Sequence, residues 1–326
     1  MMNIRWIVWS VLVLVLSLSL GGGLPPAALA DEGLGEATDS LPTEPLYTDS
    51  EADEETVPKD DVQAFAFFSR AAEKGKASAR YNLGVMYAKG QGVNKDDQQA
   101  VRCYQQAANQ GFAQAQYVMG LRYEQGRGVP KDEGQAFTWL RKAAEQGMAN
   151  AQSDVGLMYA QGQGVQLDVL AAVSWLRKAA DQGFAEAQYS LGSMYARGQG
   201  LSQDDQQAVA LFKKAAEQGQ RDAQYALGLR YDLGRGVPQS DKQAFDWYRK
   251  AAEQGQASAQ YNLGVMYSEG QGVPPNDLRA YAWSTLAAEQ GIEGAAKNRD
   301  LIDEWLTPEQ RLKAQALASE LKGKIR

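Results

Sequence analysis

The sequence predicts an all-α solenoid of about six two-helix, 36-residue units, with one helix ahead of them and a C-terminal capping region. Three observations carry this reading. First, two glycine columns each advance by 36 without a slip. One runs through Gly75, Gly111, Gly147, Gly183, Gly219, Gly255 and Gly291, the other through Gly84, Gly120, Gly156, Gly192, Gly228 and Gly264. Second, residues able to cap a helix start recur at the same spacing: Asp60, Asp96, Asp132, Asp168, Asp204, Ser240 and Asn276. Third, the chain has no histidine and a single cysteine, Cys103. That removes His-based triads, His/Cys metal sites and internal disulfides, so no catalytic residue, metal ligand or cofactor is assigned.

Ahead of the repeats the chain reads as two different segments. Residues 1–30 have the form of a secretory signal peptide: Arg5, an apolar stretch over 6–20, helix breakers at Gly21–Gly23 and Pro25-Pro26, then Ala28-Leu29-Ala30 before Asp31. An uncleaved anchor is the alternative, but the apolar stretch falls short of the roughly 20 residues that span a bilayer. Export to the periplasm or the medium is therefore expected, with no membrane span after cleavage. Residues 31–59 are rich in acidic residues, Pro, Ser and Thr, too polar to offset their own chain entropy, and are expected to be a disordered leader. Twelve acids and one base, Lys59, fall within residues 31–61, whereas residues 62–326 hold 28 acids and 31 bases. The formal net charge of −7 thus belongs to the leader, and the near-neutral body lacks the basic stripe of a nucleic-acid binder.

The solenoid is expected over residues 60–290 and the cap over 291–326. In the unit 113–146, helix A runs from about Ala113 to Gln125, a Gly126-Arg127-Gly128-Val129-Pro130 turn follows, and helix B ends before Gly147. Glutamine three residues after the N-cap (Gln63, Gln99, Gln135, Gln207, Gln243) suggests a capping box in five units. Constant alanines (Ala64, Ala100, Ala136 and their equivalents) read as packed face. Glycine within helix A costs about 1 kcal/mol against alanine, so its retention implies a close backbone crossing. Tyr87, Trp139 and their equivalents are expected to fill the space beside it. Leu306-Thr307-Pro308-Glu309-Gln310 opens a last helix, with Thr307 as cap and Pro308 in the first turn. Lys313, Glu320, Lys322 and Lys324 fit a polar-faced end cap over the last repeat.

Three motifs recur in order over residues 60 to about 295. They are Ala257-Ser-Ala-Gln-Tyr261-Asn-Leu-Gly264-Val-Met-Tyr267, Gly270-Gln-Gly272-Val273 and Trp247-Tyr-Arg-Lys-Ala-Ala-Glu-Gln-Gly255. They resemble the Sel1-like repeat, a relative of the tetratricopeptide repeat. The resemblance implies a right-handed α/α superhelix and an adaptor role in complex assembly, signalling or envelope processes. Cysteine-rich secreted members pair a disulfide in each repeat and have been linked to β-lactam binding. Cys103 stands alone, so those properties do not carry over.

Because the repeat is its own alignment, columns that vary mark freedom or function. Columns 78, 82, 86 and 89 lie on one side of helix A and vary. The 82 column holds Asn82, Val118, Asp154, Ser190, Ala226 and Asn262. The 86 column holds Met86, Arg122, Met158, Met194, Arg230 and Met266, and the 89 column Lys89, Gln125, Gln161, Arg197, Leu233 and Glu269. In solenoids of this kind the inner helices line a concave groove, so the stripe is expected to face a protein or peptide partner. Methionine would supply adaptable contact area, and Arg122 and Arg230 would select acidic groups. The G-x-G turns follow a helix and lack a Lys-Ser/Thr, which argues against a phosphate loop. Ser319-Glu-Leu-Lys322 has no accompanying motif. The reading is an exported, non-enzymatic scaffold. The alternatives are an envelope polysaccharide- or peptidoglycan-associated protein or enzyme, with aromatic rings as sugar platforms, or a secreted host-interaction factor.

Overall fold

The computed structural model describes residues 57–325. The signal-peptide expectation and most of the acidic-leader expectation lie outside those residues. Within them, fourteen helices of 13 residues are followed by a longer one. The B helices are α1 (Asp61–Glu73), α3 (Asp97–Asn109), α5 (Glu133–Glu145), α7 (Val169–Asp181), α9 (Asp205–Glu217), α11 (Asp241–Glu253) and α13 (Asp277–Glu289). The A helices are α2 (Ala77–Lys89), α4 (Ala113–Gln125), α6 (Ala149–Gln161), α8 (Ala185–Arg197), α10 (Arg221–Leu233) and α12 (Ala257–Glu269). The chain closes with α14 (Glu293–Trp305) and α15 (Pro308–Lys324). Each A helix packs between the B helix before it and the one after it, so the helices form two layers of a solenoid.

The N-cap column works as its chemistry dictates, but the capping box is only half made. Asp132 Oδ1 accepts from the Gln135 amide at 2.9 Å, and the equivalent bond recurs at Asp60, Asp96, Asp168, Asp204, Ser240 and Asn276. In a full box the glutamine side chain would return a bond to the N-cap amide. In the repeats that amide already has a partner: Asp132 N donates to Tyr123 O at 2.9 Å, and five other caps repeat the pattern with the preceding A helix. A satisfied donor has no use for the glutamine. Among the described residues only the last helix completes the box, Thr307 with Gln310.

The glycine at mid helix A makes room for a side chain more than for a backbone. A methyl group built on Gly120 would sit 2.5 Å from Leu140 Cγ, and on Gly84 the same distance from Tyr104 Cε1. The filler is thus the column of Tyr104, Leu140, Leu176, Phe212, Tyr248 and Ser284, from the facing B helix, which corrects the expectation for Tyr87 and Trp139. Tyr159, of the Tyr87 column, instead meets Phe137 edge-on at 5.2 Å, and Lys142 Nζ covers the face of buried Trp139 at 3.9 Å.

Turns and side-chain amides join the units. Gly128 has φ +75°, and a Cβ there would fall 2.7 Å from the carbonyl of Asp97, so the turn rests directly on the start of the preceding B helix. A glutamine ladder runs through the ends of the B helices. Buried Gln152 donates to Ala144 O at 3.1 Å, and Gln182 from the next unit donates to Gln152 Oε1 at 2.7 Å and Gly147 O at 3.0 Å. The first two bonds recur at Gln116, Gln188, Gln224 and Gln260, and the bond to the glycine carbonyl recurs from Gln146 and Gln254. Each buried amide gives a second donor to a helix-end carbonyl that already accepts from the glycine amide ending the helix, as Ala144 O does from Gly147 N at 3.0 Å. At the C-terminus α15 packs on α13, burying Ala314 and Ala318, while Lys313, Glu320, Lys322 and Lys324 face solvent.

Candidate functional site: the face of the A helices

At about 100° per residue, positions 78, 82, 85 and 89 share the outward stripe of an A helix, and position 86 lies about 80° round from position 78. The burial of position 86 follows that geometry, whereas position 82 departs from it in two units. Met86, Met158, Met194 and Met266 are buried, and Arg122 is 3% exposed. Arg230 is only slightly more open. These residues, predicted to meet a partner, are interior. Val118 and Asn82 are buried as well. The rest of the 82 column, Asp154, Ser190, Ala226 and Asn262, is half-buried. Lys89, Gln125, Gln161, Arg197 and Leu233 are exposed and Glu269 half-buried.

The two arginines are bound from within. Arg122 Nη1 donates to Asp97 Oδ1 at 2.6 Å, and its guanidinium lies 5.6 Å from the Tyr104 ring centre. Arg230 repeats this with Asp205, also at 2.6 Å, and with Phe212. Burial pushes the Asp97 carboxyl up, but Arg122, helped by Arg127 and Lys95, outweighs it and holds the group below the ordinary aspartate value. Charge at this column is thus satisfied within the fold and is not offered to a ligand, which corrects the assignment of Arg122 and Arg230 as acid-selecting residues. Asp61, Glu133 and Asp241 stand at the Asp97 position before Met86, Met158 and Met266, so no sequence covariation announces the pair.

The surface that the A helices do present has two ingredients. One is apolar: Tyr117, Leu121, Leu157, Tyr225, Leu229, Tyr261 and Val265 are half-buried. The 81 and 85 columns that supply them hold nearly constant residue types, so variation between repeats does not mark them. The other ingredient is acidic. The Tyr117 hydroxyl donates to Asp154 of the next A helix, which ties α4 to α6 across this face. Burial raises the Asp154 carboxyl to about 7 against the Tyr117 hydrogen bond, with the charges of Glu124 and Glu186 adding to the rise. Burial also raises Glu124, Asp232 and Glu269, the last with help from Asp232. Asp232 Oδ2 accepts from the Tyr248 hydroxyl at 3.1 Å, which only partly offsets its burial.

Comparison with known proteins agrees with this architecture. The Sel1 repeat model matches residues 53–76, 77–112, 113–148, 149–184, 185–220, 221–256 and 257–292. The chain belongs to the Sel1 repeat family. The first match adds a partial unit around α1, which the sequence reading had as a preceding helix. A Sel1 repeat protein from Oxalobacter formigenes is 37% identical, over 73% of this chain and 69% of that one, with a TM-score of 0.65. A protective antigen of uropathogenic Escherichia coli with an SLR fold is 28% identical, covering 82% and 80% of the two chains, with a TM-score of 0.48. An immunity protein of Pseudomonas aeruginosa is 23% identical, covering 67% and 83%, with a TM-score of 0.42. The comparison with curated proteins found no match. Sel1 repeat proteins are in general protein-interaction scaffolds and typically non-catalytic. No helix among the described residues is long and apolar enough to cross a membrane.

Proposed function

We propose that this Sel1 repeat protein is an exported, non-enzymatic scaffold that docks a peptide segment or a protein domain on the surface of its A helices. The observation that carries the reading is the continuous band of half-buried Leu, Val and Tyr side chains on successive A helices. Outward positions of the B helices such as Arg141, Lys142 and Glu145 are charged and exposed instead, and the exposed apolar side chains there, Val62 and Leu170, stand on separate helices. Apolar area that remains wet in the isolated protein, rimmed by polar groups, is what association removes from water. Export is supported by the n-region, h-region and Ala-x-Ala pattern of residues 1–30.

Both parts are testable in the native host. A photo-reactive amino acid at Leu121, Leu157 or Leu229 is expected to give covalent adducts with one partner. The same group at Thr138 or Ser174, both exposed on B helices, is expected to give none. Adducts from the B positions alone would reject the docking face. N-terminal sequencing of the protein recovered outside the cytoplasm is expected to begin at Asp31, and a chain that stays cytoplasmic with Met1 in place would reject export.

A further inference from the structure

The charge on the docking face is opposite to that expected from its arginines. From α4 to α12 the A helices carry Glu124, Asp154, Glu186, Asp222, Asp232 and Glu269. Their four bases balance at most two of them. Arg122 and Arg230 turn inward to Asp97 and Asp205 of the B layer, and Arg221 lies 3.7 Å from Asp222. Arg197 remains, exposed at the last position of α8. The carboxylates also act on one another across repeats: Glu124 and Glu186 on Asp154, and Asp232 on Glu269. Their spread over five successive A helices, between half-buried Tyr117, Leu121, Leu157, Tyr225, Leu229 and Val265, gives an apolar band studded with acids.

We infer that the occupant of this face is a basic polypeptide segment of another protein, with Lys or Arg side chains interleaved among apolar ones. The inference rests on the docking reading above and specifies its chemistry. A cation set among these groups would relieve the repulsion among Glu124, Asp154 and Glu186, and the interleaved apolar residues would cover the leucines and tyrosines between them. An acidic segment would add its own charge to the same repulsion, and the inward arginines offer it no compensation.

The test uses the full chain and a labelled peptide of five Lys-Leu-Gly repeats, with a Glu-Leu-Gly peptide as control, read by fluorescence anisotropy at about pH 8. The lysine peptide is expected to bind and the glutamate peptide not to. Asp154→Asn/Asp232→Asn/Glu269→Gln should weaken binding about tenfold, the scale of three partly exposed charge pairs. The isocharge control Glu145→Gln/Glu217→Gln/Glu253→Gln, on exposed B-helix positions, should leave it unchanged. Circular dichroism shows whether each variant is folded. Absence of lysine-peptide binding, or equal loss in both triple variants, overturns the inference. Cross-linking at Leu121 and Leu157 without lysine-peptide binding would keep the docking face and reject the basic occupant; adducts from Thr138 and Ser174 alone would reject both.

Discussion

Replacing Arg122 separates a core position from a recognition position. Arg122 is 3% exposed and its Nη1 lies 2.6 Å from Asp97 Oδ1. Removing one partner of a buried pair generally costs about 3–5 kcal/mol, because the other charge is stranded. Here the remaining partner, Asp97, is about one-third exposed and keeps Arg127 Nε at 3.2 Å. Water and Arg127 therefore absorb most of the stranding, leaving about 1 kcal/mol. Truncation to alanine adds a cavity beside Tyr104, worth about 2–4 kcal/mol. Arg122→Ala is thus expected to destabilise by about 3–5 kcal/mol. Arg122→Met should cost about 1 kcal/mol, since the thioether fills the volume, as Met86, Met158, Met194 and Met266 do in their own units. Arg122→Glu sets two carboxylates against each other in the interior and should be the most damaging of the three. Urea denaturation followed by circular dichroism ranks them: Met, then Ala, then Glu. A charge reversal that leaves the midpoint unchanged, or an alanine variant as mild as methionine, would refute the interior assignment.

Other outcomes follow from the same geometry. Gly120→Ala places a methyl 2.5 Å from Leu140 Cγ, so it should destabilise by about 1–3 kcal/mol despite its better helix propensity. Shortening Leu140 to Ala in the same chain should recover part of that loss, and a double-mutant cycle with no coupling would contradict the contact. The Asp154 carboxyl is raised in the fold to about 7. The folded state therefore holds more protons than the unfolded state between the ordinary aspartate value and about 7, and stability falls as pH rises through that window. Asp154→Asn keeps an acceptor for Tyr117 while removing the charge that Glu124 and Glu186 oppose. Its Tm should exceed that of the parent at about pH 8 and converge on it only below the ordinary aspartate value, at about pH 3.5, and a pH-independent difference would exclude this titration. Gln152→Ala breaks two buried hydrogen bonds, to the Ala144 carbonyl and from Gln182, and should cost about 1–3 kcal/mol, whereas truncating an exposed glutamine such as Gln125 should cost about 0.5 kcal/mol or less.

How much of this was legible beforehand depended on whether the cause was local. Helix limits, the glycine stops and the seven caps depend on residues a few positions apart, and the repeat prints them again every 36 residues. The missing return bond of the capping box was not legible, because the competing partner of Asp132 N is Tyr123 O, across the inter-helix turn. The glycine at position 120 announced a close approach but not by what. Its neighbour Leu140 belongs to the facing helix, and Leu, Phe, Tyr and Ser all occur in that column. Gln116 and its equivalents were visible as a constant letter of the motif, yet their bonds run to carbonyls eight residues back and to amides thirty ahead.

The sequence by itself determined the periodic, histidine-free, all-α chain and where each helix starts and stops, because those follow from backbone capping and spacing. Tertiary structure alone decided which side of each A helix meets solvent. Variation in the 86 column records two ways of filling the interior, a methionine or an arginine neutralised by an aspartate 25 residues earlier, and not a choice of ligand. A buried charge with an internal partner and an exposed charge awaiting an external one look alike in a sequence. They differ only in what lies across the packed layer, and that depends on contacts between neighbouring helices.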